Sequence, residues 1–296
     1  MPKLSLAAPS SKSVDESQFA IEWLTPDYGY AVAYNQVLQR TQTPYQLLEV
    51  LDTPRFGRVL RLDGALQCSE RDEHFYHEPL IHLPALLHDK PKTALIIGGG
   101  DGGAAEEILK HRCIENVQLV DIDEAVIDAS RRWLTAVNKG IFEKPCPRFH
   151  WQIGDGLKFV TNCSDSYDLI FLDLTDAGGP STSLYTQKFF RSCARRLNHG
   201  GLMALHLASP WAQPEKVRYL LTHLRAVFPH VLPYQASVPI SGGPWLMTVC
   251  GDLAFDIPSV TRVQKRLSAL DSEPLRIISA GNLSGLLSLP AYLLPY

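Results

Sequence analysis

Glycines and one acidic residue cluster where a strand would pass into a helix. The stretch ALIIGGGDGGAAEE, residues 94–107, holds five glycines around Asp101. A glycine-rich turn between a buried strand and a helix is typical of a nucleotide site, where the backbone approaches a phosphate closely. A carboxylate at that position repels a phosphate, because like charges would meet at the start of the helix. Asp101 therefore indicates a nucleoside that is positively charged near its ribose, such as a sulfonium nucleoside.

Further acidic residues follow the next two predicted strands. Asp121 ends VQLVD about 20 residues beyond the loop, where an acid accepts hydrogen bonds from ribose hydroxyls. Asp155 lies in IGDG, where flanking glycines allow an adenine to approach the backbone. This pattern suits an adenosine and does not by itself exclude NAD. The charge of Asp101 disfavours NAD, because the pyrophosphate of NAD would lie beside it. Taken singly, Asp121 is also compatible with helix capping and Asp155 with a simple turn.

A second acidic cluster lies in DLTDAGGP, residues 173–180, with Asp173 and Asp176 three positions apart. Together with Asp101 they place three carboxylates around one crevice, which is costly unless a cation compensates them. No cluster of His or Cys supports a transition metal, so an organic polycation fits better than a metal. Tyr76 and His77, in QCSERDEHFYHE, are placed to wall this crevice, although their spacing alone fits a helix that fills a seam between two lobes.

The elements that must position these acids form an alternating pattern. After residue 92, five short apolar strands alternate with helical segments, which predicts a doubly wound α/β fold with a parallel sheet covered on both faces. In such a sheet the loops at the carboxyl ends of the strands bind the ligand. The last two strands, VLPYQASVP and WLMTVCG, have no helix between them and are predicted to pair antiparallel at one edge.

The N-terminal quarter has a different pattern. Residues 28–72 show alternating apolar positions and an Asp-Gly turn, which predicts a small antiparallel β lobe. The segment ERDEHFYHEPLIHLPALLH then predicts a helix leaving the lobe. We predict a disordered tail over 1–20, the β-strand lobe over 21–78 and the Rossmann-like domain over 79–296. The apolar C-terminal segment SGLLSLPAYLLPY is predicted to pack against the body.

Composition excludes several classes of protein. The chain has 296 residues, 45% of them apolar and 20% charged, and a net charge of −3. No basic tract is present, so nucleic acid is not an expected partner. The six cysteines are far apart, without a pairing that suggests zinc or a redox pair. No signal peptide or membrane span is evident, so a cytoplasmic protein without a membrane partner is expected.

These motifs together resemble a known family. The stretches YQLLEVLDTPRFGRVLRLDGALQCSERDEHFYHEPLIHLPAL, LIIGGGDGG, IGDG, DLTDAGGP and SLPAYLLPY resemble the polyamine aminopropyltransferases, the spermidine synthases and their relatives. The resemblance implies a Rossmann-like, methyltransferase-type sheet with an N-terminal β lobe, in a homodimer or homotetramer. It also implies transfer of the aminopropyl group of decarboxylated S-adenosylmethionine to a diamine. That nucleoside would be a co-substrate, so neither a cofactor nor a metal is expected.

The resemblance also implies roles for individual residues. Asp173 matches the proposed general base. Donor binding is implied for Gln46, His77, Asp101, Asp121, Asp155 and Gly156. Acceptor binding is implied for Tyr76, Asp176, Trp23 and Gln67. In this interpretation Asp101 lies in the glycine loop because the nucleoside carries no phosphate and ends in an ammonium group.

The chain departs from the family pattern mainly on the acceptor side. Ala177 replaces a common proline, Ile240 and Ser241 replace a common tyrosine, and His206 stands where glutamine is common. Putrescine, the usual acceptor of the family, is the leading acceptor. Because of these departures, spermine-type or thermospermine-type synthesis, or transfer to another amine, is the alternative.

Two other classes of protein remain as alternatives. A small-molecule methyltransferase would share the fold, the loop and Asp121, but it would place the donor's carboxylate beside Asp101. A non-catalytic polyamine-binding protein would keep the acidic crevice without needing a complete nucleoside site.

Overall fold

The N-terminal lobe is built from two small antiparallel sheets. The computed structural model describes residues 18–176 and 179–293. The lobe's strands are β1 (Phe19–Thr25), β2 (Tyr28–Ala33), β3 (Gln36–Gln42), β4 (Leu47–Thr53), β5 (Gly57–Leu62) and β6 (Ala65–Ser69). The first two form a hairpin, and the other four form a meander. Asp63 and Gly64 join β5 to β6 with φ of 48° and 88°, so the predicted Asp-Gly turn is present.

Helix α1 (His74–Leu87) connects the lobe to the rest of the chain. Every residue from His77 to Leu87 is buried, because the helix packs against the central sheet and a neighbouring helix. The predicted domain boundary between residues 78 and 79 lies inside this helix, and the division into domains stays a prediction. Most of the predicted tail, residues 1–17, lies outside the described residues.

A seven-stranded sheet forms the centre of the molecule. The strands of this sheet and the helices that connect and follow them are, in chain order, β7 (Thr93–Gly98), α2 (Gly103–Leu109), β8 (Asn116–Asp121), α3 (Glu124–Trp133), α4 (Thr135–Asn138), β9 (Phe149–Ile153), α5 (Gly156–Asn162), β10 (Tyr167–Asp173), α6 (Gln187–Ala194), β11 (Leu197–Ala208), α7 (Pro214–Arg225), β12 (His230–Val238), β13 (Gly243–Gly251), α8 (Val260–Leu267) and α9 (Leu283–Leu287). The strand order is β12-β13-β11-β10-β7-β8-β9.

Strand direction follows the prediction. Strands β7 to β11 pair parallel, whereas β13 pairs antiparallel with both β11 and β12 at one edge. Strand β7 lies between β8 and β10, so the chain reverses its winding between β7 and β10. Ligands of doubly wound sheets bind at such a reversal. Here Gly98 of the glycine loop is paired with Asp173 at the end of β10.

Two apolar cores cover the two faces of the sheet. Along β7, Ala94 and Ile96 belong to the core shared with α1 and α2, while Leu95 and Ile97 belong to the core shared with α6 and α7. This alternation confirms the doubly wound α/β arrangement. Near the C-terminus, Leu293 is fully buried in the second core, and residues 294–296 lie outside the described part. In the described ranges no helix is both long and apolar enough to cross a bilayer.

Candidate active site

A cavity opens at the carboxyl ends of β7, β8 and β10 and is closed on one side by the N-terminal lobe. Most of the predicted site residues line it: Gln46, Gln67, Tyr76, Asp101, Asp121, Asp155, Gly156, Asp173 and Asp176. We call the part formed by the loop Gly98–Gly103, Asp121 and Asp155 the glycine-loop half. The part formed by Asp173, Asp176 and the side chains that contact them is the acid half.

The glycine loop brings the backbone of β7 against β10. At Gly98, φ is 83° and an added Cβ would lie 2.1 Å from the carbonyl oxygen of Asp173. At Gly100 it would lie 2.7 Å from Asp121 Oδ2. A side chain at either position would displace an acidic residue of the cavity, which explains why the chain uses glycine there.

Asp101 is partly buried and ionised, and it pairs with the buried His77 at the start of α2. Its Oδ1 accepts a hydrogen bond from the backbone N–H of Gly103 at 2.7 Å and lies 3.5 Å from His77 Nε2. His77 Nδ1 in turn lies 3.0 Å from Glu73 Oε2. Burial lowers the pKa of His77, but Asp101 and Glu73 outweigh it and hold that pKa well above the usual value. Burial likewise opposes ionisation of Asp101, whereas His77 and the Gly103 N–H lower its pKa below the usual value.

Asp121 is held by the backbone at the end of β8. Its two oxygens accept from the N–H groups of Gly100 and Asp123 at 2.9 and 2.8 Å. Burial raises its pKa to about 6, against these two hydrogen bonds. The cap of α3 is Asp123, which accepts from Ala125 N, so capping does not account for Asp121. Gln46 donates to Asp123 Oδ2 at 3.0 Å and is thereby fixed at the cavity wall.

Asp155 caps helix α5, a role that the alternative considered for it, a simple turn, did not include. Its Oδ1 accepts from the backbone N–H of Leu157 at 2.9 Å and of Lys158 at 3.3 Å at the start of α5. It also lines the cavity, so capping and contact with a ligand are compatible. Gly156 packs against β7, because an added Cβ would lie 2.4 Å from Ile97 Cγ2.

Asp173 presents an unpaired carboxylate oxygen inside the protein. Tyr76 donates to its Oδ1 at 2.9 Å, while its buried Oδ2 has no hydrogen-bond partner among the described residues. Burial and the charge of Asp101 raise the pKa of Asp173 to about 6, although His77, Tyr76 and His206 lower it. A partly buried carboxylate with a raised pKa at a cavity wall is suited to proton transfer near neutral pH.

Asp176 is compensated by Lys216 and also contacts His206. Lys216 Nζ on α7 lies 2.6 Å from its Oδ2, and His206 Nε2 on β11 lies 3.3 Å from its Oδ1. Burial opposes ionisation, but His206 and Lys216 lower the pKa of Asp176 to about 2. Two of the three acids are thus paired within the chain: Asp101 lies beside His77, and Asp176 lies beside Lys216 and His206.

Two predicted residues do not line the cavity. His77 lies behind Asp101 and acts on the site through that carboxylate. Trp23 is 65% exposed on β1 and is not among the lining residues, so its predicted role finds no support in this geometry and stays a prediction. Gln67 lines the cavity and donates to the carbonyl of Ala65.

Three lining or contacting residues were missed or not recognised as part of the site. Glu22 on β1 lines the cavity from the lobe, and Lys216 on α7 contacts Asp176, which lines it. No local pattern marks either residue. His206 lies near the carboxyl end of β11, the fifth strand of the central sheet along the chain. The sequence marks it only as a departure from the family pattern, but the rule that ligands bind at the carboxyl ends of strands could have placed it in the site.

Cys68, His77 and Asp101 also lie close together. Their ligand atoms are within 4.8 Å of one another. The hydrogen bonds and ion pairs described above already explain the positions of His77 and Asp101, so we assign no metal to this group.

Comparison with known proteins identifies the family. Residues 73–259 match the spermine/spermidine synthase domain, and residues 19–70 match the spermidine synthase tetramerisation domain. The chain is 42% identical over 285 residues to the polyamine aminopropyltransferase of Nitrosomonas europaea, covering 96% of this chain and 87% of that protein. It is 37% identical to polyamine aminopropyltransferase 1 of Pseudomonas aeruginosa, over 74% of this chain and 76% of that one.

Solved structures agree with these matches. Spermidine synthase from Thermotoga maritima superposes with a TM-score of 0.85 at 28% identity, covering 94% of both chains. A spermidine synthase in complex with the transition-state analogue AdoDATO superposes with a TM-score of 0.86 at the same identity and coverage. With its α/β sheet, its N-terminal β lobe and an acidic cavity at the sheet's winding reversal, the chain belongs to the spermidine synthase family of polyamine aminopropyltransferases and is an aminopropyltransferase.

Proposed function

We propose that the protein transfers the aminopropyl group of decarboxylated S-adenosylmethionine to putrescine, forming spermidine and 5'-methylthioadenosine. The observation that carries this proposal is the partly buried, ionised Asp101 at the glycine loop. A pyrophosphate or the carboxylate of an intact S-adenosylmethionine would meet a like charge there. The ammonium group of the decarboxylated donor would instead form an ion pair.

The glycine-loop half suits the nucleoside part of this donor. Asp121 would accept from the ribose hydroxyls, and Asp155 with Gly156 would contact the adenine. Gln46, which Asp123 fixes beside the cavity, would face the thioether and aminopropyl part. The uncharged or acidic character of these groups favours a sulfonium nucleoside without phosphate. The complex of a related spermidine synthase with AdoDATO supports a donor of this class.

The acid half suits an amine acceptor, with one complication. Asp176 would hold the distal ammonium of a diamine, but Lys216 already lies 2.6 Å from it. The acceptor therefore has to share Asp176 with Lys216 or displace it. Glu22 lines the same cavity from β1 and supplies a further carboxylate for a distal ammonium. Putrescine remains the proposed acceptor, with a longer polyamine as the alternative.

The chemistry requires a base at Asp173. The acceptor nitrogen attacks the carbon next to the sulfonium, the C–S bond breaks, and its electron pair stays on sulfur as a neutral thioether. An amine with a pKa near 10.4 is disfavoured as the free base at pH 7 by about 5 kcal/mol. Asp173 would accept its proton through the carboxylate oxygen that has no partner among the described residues. Alignment of the two reactants in one cavity can supply about 7–11 kcal/mol more.

The lobe is proposed to mediate assembly. Its residues 19–70 match a model described as a tetramerisation domain, which supports a homo-oligomer. Light scattering of the purified protein would distinguish a dimer from a tetramer.

An activity panel tests the proposed reaction. The protein is incubated with decarboxylated S-adenosylmethionine and, in turn, putrescine, cadaverine, agmatine, spermidine and spermine, and products are resolved by mass. Spermidine and methylthioadenosine from putrescine, formed faster than any other product, are expected. Faster transfer to spermidine than to putrescine would show that the proposed acceptor is wrong. Absence of methylthioadenosine with every amine would overturn the proposed reaction. Methyl transfer from intact S-adenosylmethionine would favour the methyltransferase alternative.

A further inference from the structure

A chain of hydrogen bonds joins the two acids of the acid half. Tyr76 OH donates to Asp173 Oδ1 at 2.9 Å and also lies 2.9 Å from His206 Nδ1. On the other side of the ring, His206 Nε2 lies 3.2 Å from Tyr185 OH and 3.3 Å from Asp176 Oδ1. His206 is 5% exposed, so water does not replace these partners freely. The imidazole ring thus bridges Asp173, through Tyr76, and Asp176.

The number of available protons fixes the state of this ring. A tyrosine hydroxyl has one proton, and that of Tyr76 goes to the carboxylate of Asp173, so His206 Nδ1 must donate to Tyr76. The hydroxyl of Tyr185 donates to the carbonyl oxygen of Thr175 at 3.1 Å, which can only accept. His206 Nε2 must therefore donate as well, to Tyr185 or to Asp176. With both acids ionised, both ring nitrogens carry a proton.

Charged groups surround the ring from several elements. Tyr76 approaches from α1, Asp173 and Asp176 from β10 and the loop after it, and Tyr185 from the segment before α6. Lys216 on α7 lies on the far oxygen of Asp176, and the ring of Trp245 on β13 is 6.5 Å from the imidazole. Asp173 itself also faces Asp101 and His77. Two carboxylates thus face the ring. Lys216 compensates Asp176 but not Asp173, the proposed base.

We propose that His206 is a positioning residue for the base: as an imidazolium it holds the hydroxyl of Tyr76 on Asp173 and keeps that carboxylate ionised at neutral pH. This inference rests on the proposed function of Asp173 as the base. It gives a specific role to a position at which the family resemblance leads one to expect glutamine. A glutamine amide can donate to Tyr76 but carries no charge.

The sign of the pH effect follows from the charges. Asp173 has a pKa of about 6, which burial and Asp101 raise and His206 lowers. Removing the positive charge of His206 raises the pKa of Asp173 further, so the base becomes ionised only at higher pH. The rate then falls at a higher pH than in the wild type as the solution is acidified. At a pH where Asp173 is ionised in both proteins, the two should behave alike.

The test is the pH profile of kcat for wild type, His206→Gln and His206→Leu, with saturating donor and whichever amine is the best acceptor. His223→Gln, at a partly exposed histidine on α7 that does not line the cavity, is the matched control. In His206→Gln the acidic limb should move up by about one pH unit, as expected for loss of a nearby opposite charge. Its kcat should recover to the wild-type value at high pH. His206→Leu should show the same movement and, because nothing orients Tyr76, a lower plateau at every pH.

Three results would overturn the proposal. The first is an unchanged acidic limb in His206→Gln, and the second is an equal loss at every pH, which indicates a structural or proton-relay role. The third comes from an NMR spectrum of the wild-type protein, which requires no turnover. The ¹⁵N-labelled ring of His206 should give the spectrum of an imidazolium at pH 7, and the spectrum of a single neutral tautomer would contradict the proposal. Because this spectrum does not depend on activity, failure of the proposed reaction and failure of the role of His206 are distinguishable.

Discussion

The two halves of the cavity are held in place by different means. In the glycine-loop half, the carboxylates of Asp101, Asp121 and Asp155 accept hydrogen bonds from backbone N–H groups, most of them within a few residues along the chain. In the acid half, Asp173 and Asp176 are held by side chains that lie 30 to 97 positions away. A motif can encode the first arrangement, whereas only the tertiary structure creates the second.

The same difference appears in the charges. Asp101 has a cationic partner in His77, delivered by the helix that follows the lobe. Asp173 has an oxygen without a partner among the described residues, and its neighbour Asp176 is occupied by Lys216. Each half thus pairs one acid with a cation of the chain, and the acid half also leaves one oxygen of Asp173 available to the attacking amine. We expect substitutions in the acid half to change rate and acceptor preference, and those in the glycine-loop half to change donor affinity.

The largest effect is expected for Asp173→Asn. The amide keeps the shape of the side chain but cannot accept the proton of the attacking amine, so kcat should fall by about 10²–10⁴-fold. Donor affinity, measured by calorimetry, should stay within about threefold, because the charge of Asp101 is retained. Single-turnover rates at saturating donor and acceptor provide the measurement. A kcat within tenfold of the wild-type value would remove Asp173 from the base role.

Next in size is the effect of Asp101→Ala on donor binding. The variant loses the charged partner of the donor's ammonium, and hydrogen bonds to charged groups contribute about 1.5–3 kcal/mol. Affinity for decarboxylated S-adenosylmethionine should therefore fall about 10–150-fold. Methylthioadenosine, which lacks the amine, is the matched control ligand and should lose much less. Equal losses for both ligands would show that Asp101 supports the loop rather than the amine.

Much of the glycine-loop half could be predicted from the sequence, because its geometry is local. The end of each strand, the glycines that allow close approach and the acids beside them all follow from short stretches of sequence, and Gly98 and Asp173 lie together as expected for neighbouring strand ends. Lys216 and Glu22 could not be predicted, since they lie on a helix and a lobe strand whose placement depends on packing. Trp23 shows the converse limit, because the match to a family motif did not bring it to the cavity.

A smaller effect is expected for Lys216→Met. Methionine retains the length and most of the volume of the side chain but removes the charge that occupies Asp176. An acceptor ammonium would then no longer compete for this carboxylate, so KM for putrescine should fall severalfold with kcat little changed. Lys188→Met, an exposed lysine on α6, is the control. A rise in KM would mean that Lys216 positions Asp176 for the acceptor instead of competing with it.

The smallest effect separates the two roles of Asp155. Asp155→Ala removes the cap of α5 and should lower the free energy of unfolding by about 1 kcal/mol. Asp155→Ser keeps a capping oxygen but lacks the carboxylate, so it should retain stability while losing donor affinity. Thermal unfolding and calorimetry on both variants give the comparison. Unchanged affinity in Asp155→Ser would reduce Asp155 to a helix cap.

The most direct test of the electrostatic basis of the cavity compares two donors that differ by one carboxylate. Calorimetry of the wild-type protein with decarboxylated and with intact S-adenosylmethionine should show much tighter binding of the decarboxylated form, because the negatively charged Asp101 attracts its ammonium and repels the additional carboxylate. Equal affinities, or a preference for the intact donor, would contradict that basis.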